Sequence, residues 1–182
     1  GGSKHGVFTD RVGALGAVIV RALQAEGVVA CGKHFPGHGD TKADSHVELP
    51  LVEHPPERLR GVEFVPFRAA IEAGVGAIMT AHVLVPAFDD VRPATLSPRI
   101  VGGILRQELG FEGAIVSDDL EMRAIADHQT AAAAAVAAIG AGCDIVLLCG
   151  GDLDRQAGVL EAVIRAVERD ELLGELALGE RL

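Results

Sequence analysis

The stretch from Lys33 to His46 holds the densest group of potentially catalytic side chains in this chain. Its sequence, KHFPGHGDTKADSH, contains three histidines, two aspartates, two lysines and two glycines, and it directly follows the apolar run GVVACG. Short polar loops after a buried strand commonly carry catalytic groups, because the strand is rigid and glycine allows tight turns. This stretch is therefore the first candidate for an active site.

Asp44 and His46 lie two residues apart in the sequence Asp-Ser-His. In an extended or turning loop, the carboxylate can hold one ring nitrogen and raise the basicity of the imidazole, which would make His46 a proton shuttle. In the alternative interpretation, Asp44 caps the loop and His46 is a solvated surface group. The residue types alone do not decide between these two interpretations.

Asp118 and Asp119 end the run IVSDD. Neighbouring side chains of a strand point to opposite faces, so only one of the two can face a central site. A carboxylate at the end of a barrel strand is suited to attack the anomeric carbon of a sugar. Alternatively, the pair caps the helix that follows.

Lys33 and His34 end the first apolar run, and they could donate hydrogen bonds to substrate hydroxyl or acyl oxygens. The alternative is a salt bridge at the end of the strand beside a buried structural histidine.

The stretch also holds residue types that bind zinc, namely His34, His38, Asp40, Asp44 and His46. Their spacing matches neither HExxH nor a CxxC pair, so we expect no metal and no cofactor.

The elements that position these residues alternate between strand-like and helix-like patterns. Short apolar runs predict strands at residues 28–32, 76–80, 114–117 and 144–149. Helical spacing and capping residues predict helices at residues 9–26, 58–73, 97–110, 130–140 and 153–169. Strands separated by single helices indicate parallel βα units. Polar residues such as Thr80 and His82 follow several of the strands. Functional groups at the ends of several strands are typical of a barrel, so this pattern favours a barrel over an open sheet.

The composition is that of an acidic globular protein, with 49% hydrophobic residues, 23% charged residues and a net charge of −10. It offers no basic stripe for nucleic acid and no polybasic patch for a membrane. No apolar run approaches the ~18 residues that span a bilayer. Three cysteines without a CxxC pair predict reduced core residues and a cytoplasmic protein.

Taken together, these motifs resemble the β-N-acetylhexosaminidases of glycoside hydrolase family 3, the bacterial cell-wall-recycling type. The resemblance lies in the runs KHFPGHGDTKADSHVELP, MTAHVLVPAFDD, PATLSPRIVGGILRQELGFEGAIVSDDLEM and AGCDIVLLC. It covers nearly everything from Gly27 to Arg169. The Asp-Ser-His pair separates this branch from the β-glucosidase branch of the same family.

The resemblance implies a retaining double displacement on a small carbohydrate. Asp118 would attack the anomeric carbon, and His46 would act as acid and then base, with Asp44 tuning its pKa. Lys33 and His34 would contact the N-acetylglucosamine ring. The substrate would be a peptidoglycan fragment or a chitin-derived oligosaccharide. Phosphorolysis and an inactive fragment are the alternatives.

The resemblance also implies a (β/α)8 TIM barrel, of which this chain covers strands five to eight. A complete barrel takes about 250 residues, so residues 1–182 are predicted to form a partial catalytic domain. Residues 1–8 are predicted to be either a cloning remnant or disordered. Half of a barrel leaves two open sheet edges, which predicts one of three situations: a truncated gene product, a fragment made by cloning, or self-association through these edges.

Overall fold

A computed structural model describes residues 4–39 and 49–169 of the chain. The fold is α/β, with one parallel sheet of four strands. The strands are β1 (Cys31–Phe35), β2 (Ala77–Thr80), β3 (Ala114–Asp119) and β4 (Ile145–Leu147). They lie side by side in chain order, which confirms the predicted α/β class with parallel βα units.

Helices precede, separate and follow the strands, as the periodicity indicated. The α-helices are α1 (Lys4–Ala25), α2 (Pro56–Arg58), α3 (Val65–Glu72), α4 (Arg123–Ala126), α5 (Ala131–Ala141) and α6 (Leu153–Glu168). Leu59–Glu63 and Arg99–Glu108 are wound as π-helices, and Ala94–Leu96 is a 3-10 turn. The helix predicted over residues 58–73 is thus divided, because Pro66 in the first turn of α3 has no N–H for a preceding carbonyl.

β1 lies about three residues further along the chain than the sequence indicated. The strand predicted at residues 28–32 is wrong at its start, because Val28 and Val29 precede β1 and are 53% and 69% exposed. Gly27, with a φ of 77°, ends the turn after α1, and pairing with β2 begins only at Cys31. β1 therefore extends through the polar residues that were expected to follow it.

The core lies between one face of the sheet and the helices. Phe35, Ile78 and Ile115 are fully buried there. The alternating Met79 and Val116 are only half-buried. Because strand side chains alternate between faces, the second face of the sheet is the more open one.

The connection after β2 is held by Asp89, a buried carboxylate. Its Oδ1 accepts hydrogen bonds from the backbone N–H groups of Val91 and Arg92, at 3.0 Å each, and its Oδ2 accepts one from the Ser97 hydroxyl at 2.7 Å. Ser97 Oγ in turn accepts a hydrogen bond from the Ile100 N–H at 3.3 Å. The predicted N-cap at Ser97 is therefore present, at the start of the π-helix Arg99–Glu108.

The cysteines differ from the prediction that all three are core residues. Cys143 is buried, and this burial raises the pKa of its thiol to about 12. Cys31 and Cys149 are exposed, because the first opens β1 at the edge of the sheet and the second follows β4 at the opposite edge. All three are free thiols.

Across residues 4–39 and 49–169, each helix is too short or too polar to cross a membrane.

Candidate active site

The ends of β1 and β3 bring His34 and Asp118 together. The His34 Nε2 and Asp118 Oδ2 atoms are 4.0 Å apart, and the two side chains are 32% and 19% exposed. Both groups are therefore accessible to a ligand while being partly removed from bulk water.

A cleft of about 570 Å³ lies beside β1, a size that suits a small ligand. Lys33 and His34 border it, so these two predicted site residues line one common space. The other lining residues are Val12, Gly37, His38, Gly39, Val62, Glu63, Pro66 and Phe67. The chain turns sharply here, with cis peptide bonds at Lys33–His34 and Phe35–Pro36.

Glu63 is a candidate site residue that the sequence analysis missed. Its Oε1 accepts a hydrogen bond from Arg58 Nη2 at 3.0 Å, and its side chain is 11% exposed. Its Oε2 is buried and has no hydrogen-bond partner within the described parts of the chain. Gly37, with a φ of 126°, lies directly against it, so a Cβ at position 37 would come within 3.0 Å of the Glu63 Cβ. The only sequence signal was an acidic residue inside the apolar run VEFVPF.

Asp119 is fixed at the end of β3 by hydrogen bonds to most of its polar atoms. Its carboxylate Oδ1 accepts from the backbone N–H groups of Glu121 at 3.1 Å and Cys149 at 3.2 Å. Its own N–H donates to Asp118 Oδ1 at 2.9 Å. The two aspartates therefore differ in environment: Asp119 is engaged with the backbone, whereas Asp118 has its Oδ2 turned towards His34.

His82 lies behind these aspartates and is completely buried. Its Nε2 is 2.9 Å from the Asp119 carbonyl oxygen, and its Nδ1 is 2.9 Å from Thr95 Oγ1. Burial lowers the pKa of His82, although the hydrogen bond to the Asp119 carbonyl and the nearby carboxylates act in the opposite direction. The sequence had placed this histidine only in a polar cluster after the second strand, without a role.

His46, Asp44 and Asp40 lie outside the described residues. The zinc-competent set considered from the sequence is therefore only partly described. Within residues 4–39 and 49–169, no group of three or more His, Cys, Asp or Glu side chains is arranged to hold a metal ion.

Known proteins share both the sequence and the fold of this chain. Residues 5–176 match the family described as glycosyl hydrolase family 3 N-terminal domain. A β-hexosaminidase from Alkalilimnicola ehrlichii is 47% identical over 130 residues, which cover 71% of this chain and 37% of the relative.

Two solved structures extend the likeness to three dimensions. The glycoside hydrolase family 3 β-N-acetylglucosaminidase from Paenibacillus sp. str. FPU-7 superimposes with a TM-score of 0.83 at 49% identity, covering 86% of this chain and 30% of that one. NagZ from Neisseria gonorrhoeae, in complex with N-trifluoroacetyl-D-glucosamine, gives a TM-score of 0.67 at 38% identity, covering 79% and 39%. The chain spans less than half the length of each of these three proteins.

Proposed function

The chain belongs to glycosyl hydrolase family 3, and from this we propose that it acts as a retaining exo-β-N-acetylglucosaminidase. The substrates would be peptidoglycan fragments or chito-oligosaccharides with a terminal β-linked N-acetylglucosamine. The observation that carries the proposal is the approach of His34 to Asp118 at 4.0 Å, which places a hydrogen-bond donor beside a carboxylate at the ends of the two strands that flank β2. The names of the similar proteins support the same class of substrate.

Asp118 is the proposed nucleophile. Its Oδ1 is engaged by the Asp119 N–H, so Oδ2 is the oxygen placed to attack the anomeric carbon. The bond from Oδ2 to that carbon forms as the bond to the leaving oxygen breaks, which gives a covalent glycosyl-aspartate. Water then releases the sugar and regenerates the carboxylate, and the configuration at the anomeric carbon is retained.

His46 is the proposed acid and base. It would give a proton to the leaving oxygen in the first step and take one from water in the second, with Asp44 tuning its pKa. This differs from the usual pair of carboxylates. The chemistry is nonetheless sound, because a histidine with a carboxylate partner exchanges protons near neutral pH.

Lys33 and His34 are proposed to bind the hydroxyl and acetamido oxygens of the sugar. Both border the 570 Å³ cleft, and both are nitrogen donors suited to oxygen acceptors. The four strands would then be strands five to eight of a (β/α)8 barrel, a fold in which strand ends carry the chemistry. We place the protein in the cytoplasm, since its three cysteines are all free thiols.

The test is release of nitrophenol from nitrophenyl β-N-acetylglucosaminide by the wild-type chain and by Asp118→Asn. Asp127→Asn is the control, because Asp127 is an exposed carboxylate paired with Arg123 away from the site. We expect the Asp118 variant to lose about a thousandfold in kcat and the control to lose nothing. Equal turnover by Asp118→Asn and the wild type would exclude Asp118 as the nucleophile.

The same assay separates hydrolysis from phosphorolysis. Added phosphate should leave free N-acetylglucosamine as the product, whereas a sugar 1-phosphate would identify a phosphorylase. A chelator should have no effect on the rate. Absence of turnover in the wild-type chain would contradict the proposal for this polypeptide on its own.

We also infer that two copies of the chain associate through the two ends of the sheet. At one end, α1 packs on α3 and leaves Leu15 and Ile19 exposed. At the other end, α6 packs on α5 and leaves Leu160 and Ile164 exposed. Within the described residues, no strand pairs with the outer edge of β1 or of β4.

A second copy fits these two surfaces in both area and topology. Exposed large apolar side chains at the two ends are Val12, Leu15, Val18, Ile19, Leu23, Val28, Val29, Ile145, Leu153, Leu160 and Ile164. At roughly 80 Å² each, they present on the order of 900 Å² per copy, close to the roughly 800 Å² per partner of a stable interface. If β4 of each copy meets β1 of the other, eight parallel strands close into a ring.

A further inference from the structure

His82 is a fully buried histidine that the proposed mechanism does not use. It follows β2, the strand between the two that carry His34 and Asp118. Each of its ring nitrogens lies 2.9 Å from an oxygen, Nδ1 from Thr95 Oγ1 and Nε2 from the Asp119 carbonyl. A buried imidazole with both nitrogens engaged is held in one orientation, so it can fix what it touches.

The partners of the ring determine where its proton lies. The Asp119 carbonyl can only accept, so Nε2 carries the hydrogen and donates it. In a neutral ring Nδ1 accepts, and the Thr95 hydroxyl can share its one hydrogen between Nδ1 at 2.9 Å and the Ala81 carbonyl at 3.0 Å. Thr80 Oγ1, 2.9 Å from Thr95 Oγ1, can donate to that hydroxyl in turn. The ring orientation and the hydrogen on Nε2 therefore both follow from the two oxygens that contact the ring, Thr95 Oγ1 and the Asp119 carbonyl.

The hydrogen bonds that fix Asp119 also restrict the orientation of the Asp118 carboxylate. With its carbonyl held by His82 and its carboxylate held by two backbone N–H groups, residue 119 has little freedom to rotate. Its N–H is therefore fixed in direction, and it donates to Asp118 Oδ1 at 2.9 Å. This hydrogen bond sets the plane of the Asp118 carboxylate and leaves Oδ2 towards His34.

We propose that His82, as the neutral Nε2–H tautomer, is a positioning residue that orients the Asp118 carboxylate through the backbone of Asp119. The inference rests on the proposed function, in which Asp118 is the nucleophile. The titratable groups that act on the ring are Asp118, Asp119 and His34. His82 itself touches no reacting atom, so its contribution is geometric.

The test compares two substitutions of His82. In His82→Gln the amide nitrogen is as many bonds from Cα as Nε2 is in histidine, so it can still donate to the Asp119 carbonyl. In His82→Phe the ring volume remains but the donor is lost. Val83→Ala is the control for general destabilisation, because Val83 is the adjacent residue and is also fully buried.

We expect His82→Phe to lower kcat about a hundredfold, since a small misplacement of a reacting group costs that much. The KM should change little, and His82→Gln should retain most of the wild-type kcat with an unchanged pH profile. Val83→Ala should lower the melting temperature and leave kcat unchanged. Equal losses of kcat in His82→Phe and Val83→Ala, or a shifted acid limb in His82→Gln, would overturn the proposal.

A readout without turnover keeps this proposal separate from the proposed function. In nitrogen-15 NMR spectra at pH 7, the His82 ring should be the neutral Nε2–H tautomer. The carbon-13 carboxyl resonance of Asp118 should shift in His82→Phe and stay in place in Val83→Ala. An Nδ1–H tautomer, a ring that titrates like an exposed histidine, or an unmoved Asp118 resonance would each reject the positioning role, whether or not the chain hydrolyses a glycoside.

Discussion

His34 Nε2 lies 4.0 Å from Asp118 Oδ2, although the two residues belong to strands that do not pair with each other. The intervening strand is β2: β1 ends level with it, where Phe35 pairs with Thr80, whereas β3 continues beyond it to Asp119. A sugar bound between these two groups would meet a donor and a nucleophile at once. The distance leaves room for a sugar hydroxyl to bridge them.

Replacing His34 with alanine should lower kcat/KM by about a hundredfold, because one positioned donor beside the reacting centre is lost. The side chain is about one-third exposed, so the melting temperature should barely change. His128→Ala is the matched control, since His128 is an exposed histidine outside the cleft. Steady-state kinetics on the nitrophenyl glycoside would measure the effect, and unchanged kcat/KM in His34→Ala would remove His34 from the site.

Asp89→Ala should destabilise the fold by about 2–3 kcal/mol, because two backbone N–H groups and the Ser97 hydroxyl lose their acceptor. Urea unfolding at neutral pH would measure this loss. Asp90→Ala, at the exposed neighbouring residue, should cost almost nothing. A destabilisation of equal size in both variants would contradict the role assigned to Asp89.

Asp89 also predicts a dependence of stability on acid. Burial raises the pKa of its carboxyl, but the hydrogen bonds from Ser97, Arg92 and Val91 outweigh it and leave the pKa below 3.8. Its contribution to the free energy of unfolding is therefore present above about pH 3.8 and is lost as the pH falls through the lowered value. The Asp89→Ala variant should lack this part of the acid dependence.

Stability should also fall as the pH decreases below about 6.5 because of His82. Burial, the main cause, lowers its pKa in the folded chain, whereas in the unfolded chain the ring takes up a proton near pH 6.5. The contribution is complete above pH 6.5 and is lost as the pH falls towards the folded value, at no more than about 1.4 kcal/mol per pH unit. Urea unfolding should show a steeper loss in the wild type than in His82→Gln. Parallel curves would mean that His82 is protonated equally in both states.

The wild-type chain should sediment as a dimer of 18.8 kDa subunits at micromolar concentration. Ile19→Arg and Ile164→Arg should each give monomers, because a charge is then placed at one end of the sheet or the other. Val91→Arg should remain dimeric, since Val91 is an exposed apolar residue in the connection after β2. A monomeric wild type, or open-ended aggregates, would contradict the closed pairing.

Much of the fold could be predicted from the sequence because alternating strand and helix patterns are local signals. The start of β1 could not, since Val28 and Val29 have the composition of a strand but are exposed before it. Pairing with β2 decides where a strand begins, and pairing is not visible in one segment alone. The division of the helix around Pro66 had a signal in the sequence, namely the proline itself.

The candidate site was predictable only where a motif marked it. Asp118 and Lys33 stood in polar runs at strand ends, whereas Glu63 was hidden in an apolar helical run. The different environments of Asp118 and Asp119 depend on partners about 30 to 40 residues away, such as the Cys149 N–H and the His82 ring. Contacts of that kind exist only after the strands have come together.

The position of β1 at the edge of the sheet has a consequence for ligand binding. Amide groups in β2 and β3 have hydrogen-bonded neighbours on both sides, whereas β1 pairs only with β2 among the described strands. In a single copy of the chain, hydrogen exchange should therefore be faster in the edge strands β1 and β4 than in β2 and β3. A sugar held by Lys33 and His34 would bind one of these edge strands, so part of its binding free energy would be spent on suppressing the local opening of β1. Across a series of sugars, a higher affinity should therefore accompany slower hydrogen exchange of the β1 amides.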